Sequence, residues 1–132
     1  MFELLYLDAS ALVKLVVLER ETEALTAELR HWPQRVTIVV AQVELHRAAL
    51  RAGEAASLAD AVLAGTSLLA LTQSRLELAR RVGSRHLRAL DAIHLASAIS
   101  LADDLGAFCC YDPRLIADAE AAGVNVLSPG LD

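Results

Sequence analysis

Leu4-Leu5-Tyr6-Leu7-Asp8-Ala9-Ser10-Ala11 opens the chain with a short apolar run that ends on a carboxylate. Four apolar residues in a row predict a buried strand, with Asp8 at its carboxyl end. Ser10 is placed to cap a helix over Ala11 to Leu18. A second helix fits Glu21 to His31, where Leu25 and Leu29 share a face at i, i+4 spacing, and Pro33 closes that region. Val36-Thr37-Ile38-Val39-Val40 is β-branched throughout and predicts the next strand. A helix over Ala41 to Ala52 stops at Gly53, and another spans about Glu54 to Ala64. A strand over Ser67 to Leu71 follows, and Thr72 then caps a helix over Ser74 to Val82 that stops at Gly83. Ala89 to Asp103 reads as a long apolar helix ending near Gly106, and Ala107 to Tyr111 as a strand. Asp112-Pro113 supplies the N-cap and first residue of a last helix, which stops at Gly123. Val124 to Leu127 closes the series. Strands alternating with helices predict a parallel sheet covered on both faces.

The 132 residues read as one domain, large enough to bury roughly two-thirds of its unfolded surface without staples. Composition is 55% hydrophobic and 22% charged, within the globular range. Mean hydropathy is high at +0.43, yet charges interrupt every apolar run before the roughly 18 residues a spanning helix needs. No basic residues precede the first apolar run, so it does not read as a secretion signal, and a cytoplasmic protein is expected. Cys109 and Cys110 are adjacent, so a strand would point them to opposite faces, where they neither pair nor share a metal. The four histidines, His31, His46, His86 and His94, lack zinc-ligand spacing. Net charge is −5, which argues against a nucleic-acid binder unless positive charge is concentrated. It is: Arg75, Arg80, Arg81, Arg85 and Arg88 lie close together beside His86, against one acid, Glu77. Such a segment is either a solvated helix face or a phosphate-binding patch.

Open α/β sheets collect function at the carboxyl ends of their strands. Asp8 and Asp112 fall there. Both also have a structural reading as helix caps, for which Ser10 is better placed than Asp8. Glu44 and Asp91 are harder to explain structurally. Glu44 interrupts a stripe of Ala41, Ala48 and Ala52 that should face the protein. Asp91 is the only charge from Ala89 to Ala102, with Leu90, Ala92 and Ile93 around it and His94 one turn on. A carboxylate on a buried face must be paired or must ligate a cation. Brought together, four acids repel, each pair by about 3 kcal/mol at roughly 5 Å and an effective dielectric near 20. Either some remain protonated or a hard divalent cation sits among them. Oxygen ligands with retained waters suit Mg²⁺ or Mn²⁺, and such an ion can activate water against a phosphodiester.

Four segments together resemble the PIN-domain ribonucleases of the VapC toxin type. Tyr6-Leu7-Asp8-Ala9-Ser10-Ala11-Leu12-Val13-Lys14-Leu15 resembles their opening motif and Val43-Glu44-Leu45-His46-Arg47-Ala48 their second. Leu90-Asp91-Ala92-Ile93-His94-Leu95-Ala96 resembles the third, the most specific. Tyr111-Asp112-Pro113-Arg114-Leu115, with Ala121-Ala122-Gly123-Val124 and Leu127-Ser128-Pro129, resembles the fourth and the usual C-terminus. The resemblance implies a three-layer α/β/α sandwich around about five parallel strands. It implies that Asp8 and Asp91 are the most direct Mg²⁺ or Mn²⁺ ligands, that Asp112 and Glu44 complete the acidic pocket, and that Ser10 orients ligands. It further implies endoribonuclease activity as the toxin of a toxin–antitoxin pair, a small antitoxin that places a basic side chain in the acidic site, and a homodimer. Arg80, Arg81, Arg85 and Arg88 are the candidate RNA-binding residues. Cys110 departs from the family, which often carries Thr two residues before the fourth acid; a thiol is a weaker donor.

Two other readings compete. A haloacid-dehalogenase-type phosphatase also begins with an acid after its first strand, but it needs a second Asp where Ser10 stands. A catalytically silent PIN-like binding module would keep the acids only as caps or core pairs.

Overall fold

The computed structural model describes residues 2–131. Five parallel strands form one sheet in the order β3-β2-β1-β4-β5: β1 (Leu4–Leu7), β2 (Gln34–Ile38), β3 (Ser67–Leu69), β4 (Leu105–Cys109) and β5 (Val126–Leu127). The helices are α1 (Ala9–Val13), α2 (Thr22–Leu29), α3 (Ala41–Ala52), α4 (Ala56–Ala64), α5 (Gln73–Ala79), α6 (Ala89–Ile99) and α7 (Pro113–Ala121). This is the three-layer α/β/α sandwich expected from the sequence.

Strand alternation builds two cores. Leu5, Leu7, Ala107 and Cys109 face Leu12, Leu25, Leu45 and Ala59 of α1 to α4. Tyr6, Phe108 and Cys110 face Leu95, Ala98, Leu115 and Ala119 of α6 and α7. Cys109 and Cys110 are therefore buried, free and on opposite faces, as a pleated strand requires.

Several element ends differ from expectation, each for a local reason. Asp8, not Ser10, is the N-cap of α1, with Oδ1 accepting from the Ala11 amide at 3.0 Å. The expected run to Leu18 is cut short because Lys14, Leu15 and Val16 donate three residues back, tightening the last turn. Thr22 Oγ1 then takes the Lys14 carbonyl at 2.7 Å. β2 begins directly after Pro33, and Val40 turns into the right-handed helical region to start α3, so the strand lies two residues earlier than its β-branched run. α6 stops at Ile99 rather than reaching Asp103. Ser97 and Ser100 hydroxyls bond back to the Ile93 and Ser97 carbonyls, and Ala102 adopts φ +49°. Gly106 consequently lies inside β4, where an added Cβ would clash with the Trp32 ring.

The sheet order places the site. From β1 the chain winds outward through β2 to β3, then returns to add β4 and β5 on the other side. The winding reverses between β1 and β4, and the crevice at their carboxyl ends is where such sheets bind ligands. Asp8 follows β1 there, with its amide bonded to the Cys109 carbonyl at 3.2 Å.

Candidate active site

Glu44, Asp91 and Asp112 line this crevice, whereas Asp8 is buried and lines neither of its two clefts. Asp8 leaves β1, Asp112 follows β4, Glu44 sits in the first turn of α3 and Asp91 in the first turn of α6. Two open clefts meet at Asp112, with volumes of about 790 and 800 Å³, so the site is a groove rather than a single pit. Ser84, His86, Leu87, Arg88, Asp91 and Arg114 line one. Ser10, Lys14, Val43, Glu44, Arg47, Arg51 and Leu90 line the other.

Each carboxylate is restrained differently. Asp8 is 2% exposed, and its Oδ1 accepts from Ser10 Oγ at 2.7 Å as well as from Ala11 N. Burial pushes its pKa up, while His94, Ser10 and the Ala11 amide pull it back. Ser10 is a bridge, because its Oγ also accepts from the Tyr111 amide at 2.9 Å, tying α1 to the segment after β4. Asp112 caps α7 through Oδ1, which accepts from the Arg114 amide at 2.9 Å. Cys110 makes long sulfur contacts, to Ser10 at 4.0 Å and to the Asp112 carbonyl at 3.9 Å, and its thiol also helps to pull the Asp8 pKa back. The carboxylate of Asp112 therefore depends on its cap and not on the residue that departs from the family pattern. Burial pushes the Cys110 thiol well up, so it stays neutral.

Asp91 is half-buried, and no hydrogen bond restrains its side chain among the described residues. Desolvation raises its pKa first, then the charges of Asp112 and Asp8, with Glu44 adding to them and His94 opposing. That coupling is the physical sign that the four acids share one field. Glu44 lies on α3 with Ala41 and Ala48 buried beside it, although Ala52 at the end of the stripe is exposed. Its Oε1 meets His94 Nε2 at 2.7 Å, and His94 Nδ1 meets the Tyr6 hydroxyl at 2.8 Å. Burial pushes the Tyr6 phenol far up.

No lysine or arginine forms an ion pair with any of the four acids among the described residues. Lys14 is committed elsewhere, to Glu19 and Glu21 at 3.5 and 3.3 Å and over the Tyr111 ring. Nor do any three His, Cys, Asp or Glu side chains among the described residues already enclose a metal-sized space. The donor chemistry still fits a hard cation: oxygen ligands only, with excess negative charge unmatched by a cationic side chain.

Of the expected arginines, Arg88 alone reaches the groove. Arg81 bonds back to the Glu77 carbonyl, Arg85 leans on His86, and Arg80 is the C-cap of α5. Sequence reading passed over Arg47, Arg51 and Arg114, which do line it. Arg47 and Arg51 carried a usable signal, since i, i+4 spacing places them on one side of α3.

Comparison with known proteins agrees with this geometry. The PIN domain family model matches residues 5–117. Ribonuclease VapC46 of Mycobacterium tuberculosis strain H37Rv is 44% identical, over 95% of this chain and 97% of that protein. Ribonuclease VapC47 of strain CDC 1551 is 38% identical, over 96% and 98%. Among solved structures, Mycobacterium tuberculosis VapC20, described as a sarcin-ricin loop cleaving toxin, superposes with a TM-score of 0.72 at 18% identity, over 95% and 99% of the chains. A toxin–antitoxin complex from Klebsiella pneumoniae gives 0.71 at 20% identity, over 94% and 96%. The haloacid-dehalogenase alternative falls with these matches. An all-parallel five-stranded sheet, acids at its switch point and relatives matched along nearly their whole length make this chain a member of the PIN-domain family, among its VapC relatives.

Proposed function

We propose that the protein is a Mg²⁺- or Mn²⁺-dependent endoribonuclease acting as the toxin of a toxin–antitoxin pair in the cytoplasm. The observation that supports this reading is the placement of Asp8, Glu44, Asp91 and Asp112 around the carboxyl-end switch point of the sheet, where burial first, and then the charges of Asp112 and Asp8, push the pKa of Asp91 up. The charges of Asp112, Asp8 and Glu44 all act on Asp91, and among the described residues no lysine or arginine forms an ion pair with any of these acids. Asp8 and Asp91 would hold the ion most directly, with Asp112 and Glu44 completing the acidic rim and retained waters filling the remaining positions. When bound, such an ion supplies a lowered water pKa and charge neutralisation at phosphate. The chain's own residues do the rest. Ser10 and the Ala11 amide fix Asp8, the α7 amides fix Asp112, and the groove presents Arg47, Arg51, Arg88 and Arg114 for backbone phosphates.

The antitoxin reading draws support from the complex solved for the Klebsiella relative and from electrostatics, since a basic side chain would complement these acids. Val43, Leu50 and Leu90 are exposed apolar side chains at or near the groove, and covering them suits an antitoxin or a second copy in a homodimer. Among the described residues no helix is long and apolar enough to cross a membrane.

The test is cleavage of structured RNA by purified protein with Mn²⁺ or with EDTA, for the wild type and for Asp8→Ala and Asp91→Ala. Cleavage by the wild type with Mn²⁺ alone, and by neither variant, is expected. Full cleavage by Asp91→Ala would rule the mechanism out. Metal-independent RNA binding without cleavage would favour the silent binding module.

A further inference from the structure

Asp8 and Asp112 are aimed by helix-capping amides, but Glu44 has no such support. Its side chain is longer, it starts from a different layer, and its only side-chain hydrogen bond among the described residues is the one to His94. That bond engages Oε1, and Glu44 lines the groove. His94 is itself held: it is 1% exposed, and its second nitrogen faces the hydroxyl of Tyr6, which is 0% exposed. The two rings meet edge to face, with centroids 5.7 Å apart and planes at 80°. An ionised carboxylate only accepts, so His94 Nε2 is the donor to Glu44 Oε1, while the Tyr6 hydroxyl, which can donate or accept, pairs with Nδ1. A core histidine serving packing alone would have no need of this line, which begins in the sheet and ends on an active-site carboxylate.

We propose that His94, oriented by Tyr6, is a positioning residue that aims Glu44 into the groove. It does for this glutamate what backbone amides do for Asp8 and Asp112. The proposal rests on the metal-dependent reading above. Outer partners of ligating groups typically set metal affinity by roughly 10- to 100-fold.

The test is Mn²⁺ affinity, measured by calorimetry on purified protein, together with kcat and KM for RNA. His94→Leu should weaken Mn²⁺ binding about 10- to 100-fold and lower kcat while KM for RNA stays put. His94→Gln, which retains an N–H donor, should recover part of the loss. In a Glu44→Ala background His94→Leu should cost less than about a further twofold, because its effect passes through Glu44. If His94→Leu does not fold, Tyr6→Phe removes only the hydroxyl and should weaken Mn²⁺ several-fold. Nitrogen NMR of the metal-free wild type should show His94 protonated at Nε2. An Nδ1–H tautomer would overturn the proposal, as would full additivity with Glu44→Ala. Unchanged Mn²⁺ affinity in the folded variants, with the wild type responding, sinks the brace alone. No Mn²⁺ binding by the wild type sinks the metal-dependent reading and the brace with it.

Discussion

Removing the Ser10 hydroxyl should destabilise the protein far more than a surface serine would. Ser10 Oγ donates to Asp8 Oδ1 at 2.7 Å and accepts from the Tyr111 amide at 2.9 Å, so Ser10→Ala breaks two bonds. Loss of a hydrogen bond to a charged group costs about 1.5–3 kcal/mol, and stranding a buried amide about 1–3. Alanine's better helix propensity returns about 0.5 kcal/mol, and local relaxation recovers part of the remainder. A net loss of about 2–3 kcal/mol corresponds to a fall in Tm of about 7–11 °C for a chain this size. Ser10→Thr keeps the hydroxyl and should melt near the wild type. The assay is differential scanning calorimetry in EDTA, which isolates the protein from any ion, followed by RNA cleavage with Mn²⁺. Activity should fall roughly 10- to 100-fold, because Asp8 loses one of the two bonds that orient it. A Ser10→Ala protein melting within about 2 °C of the wild type would refute the bridge.

Neutralising Asp91 should have the opposite effect on stability. Asp91→Asn relieves repulsion from Asp112 and Asp8, so the metal-free protein should gain about 0.5–2 kcal/mol while cleavage disappears; a lower Tm in EDTA would contradict the shared field. The pH dependence follows with its sign. Burial raises the folded-state pKa of Asp8 and Asp91 above the unfolded value, so the folded state binds more protons. Their contribution to stability is present at acid pH and is lost as pH rises from about 4 through the raised folded values. Urea melts of Asp91→Asn in EDTA should therefore decline less steeply with pH than those of the wild type, and identical slopes would count against the shift. Arginine pairs on the groove should each carry about 1.4 of the salt slope of RNA binding, at about 0.7 per phosphate contact for single strands. Arg47→Gln/Arg51→Gln and Arg88→Gln/Arg114→Gln should flatten that slope, whereas Arg80→Gln/Arg81→Gln should not; the reverse pattern would move the RNA path onto α5.

How much of this was legible from sequence depended on the range of the interaction involved. The sheet was legible because strand–helix alternation is local, and Cys109 and Cys110 fell on opposite faces because the pleat alternates residue by residue. Helix α3 was read with both ends correct, since Gly53 at φ +73° is a stop written in one residue. The ends of α1 and α6 were not legible. They depend on hydroxyls of Thr22, Ser97 and Ser100 competing for helix carbonyls, which propensity does not reveal. At the site, the isolation of Asp91 in an apolar helix singled it out, and the fold sets it where the charges of Asp112, Asp8 and Glu44 act on it. The bonds linking Glu44 to His94 and Tyr6 span 50 and 88 residues of sequence, and only the fold brings those groups together. The arginine-rich stretch was visible as composition, but which arginines face the groove is decided by the packing of α5 against α6.

The proposal that Asp8, Glu44, Asp91 and Asp112 together hold a divalent ion is tested most directly by melting EDTA-treated protein and then adding Mn²⁺. At about 100 times its dissociation constant the ion should add about 2.7 kcal/mol, raising Tm by about 10 °C, and Asp91→Asn should abolish the rise. An unchanged Tm in the wild type up to millimolar Mn²⁺ would contradict the account.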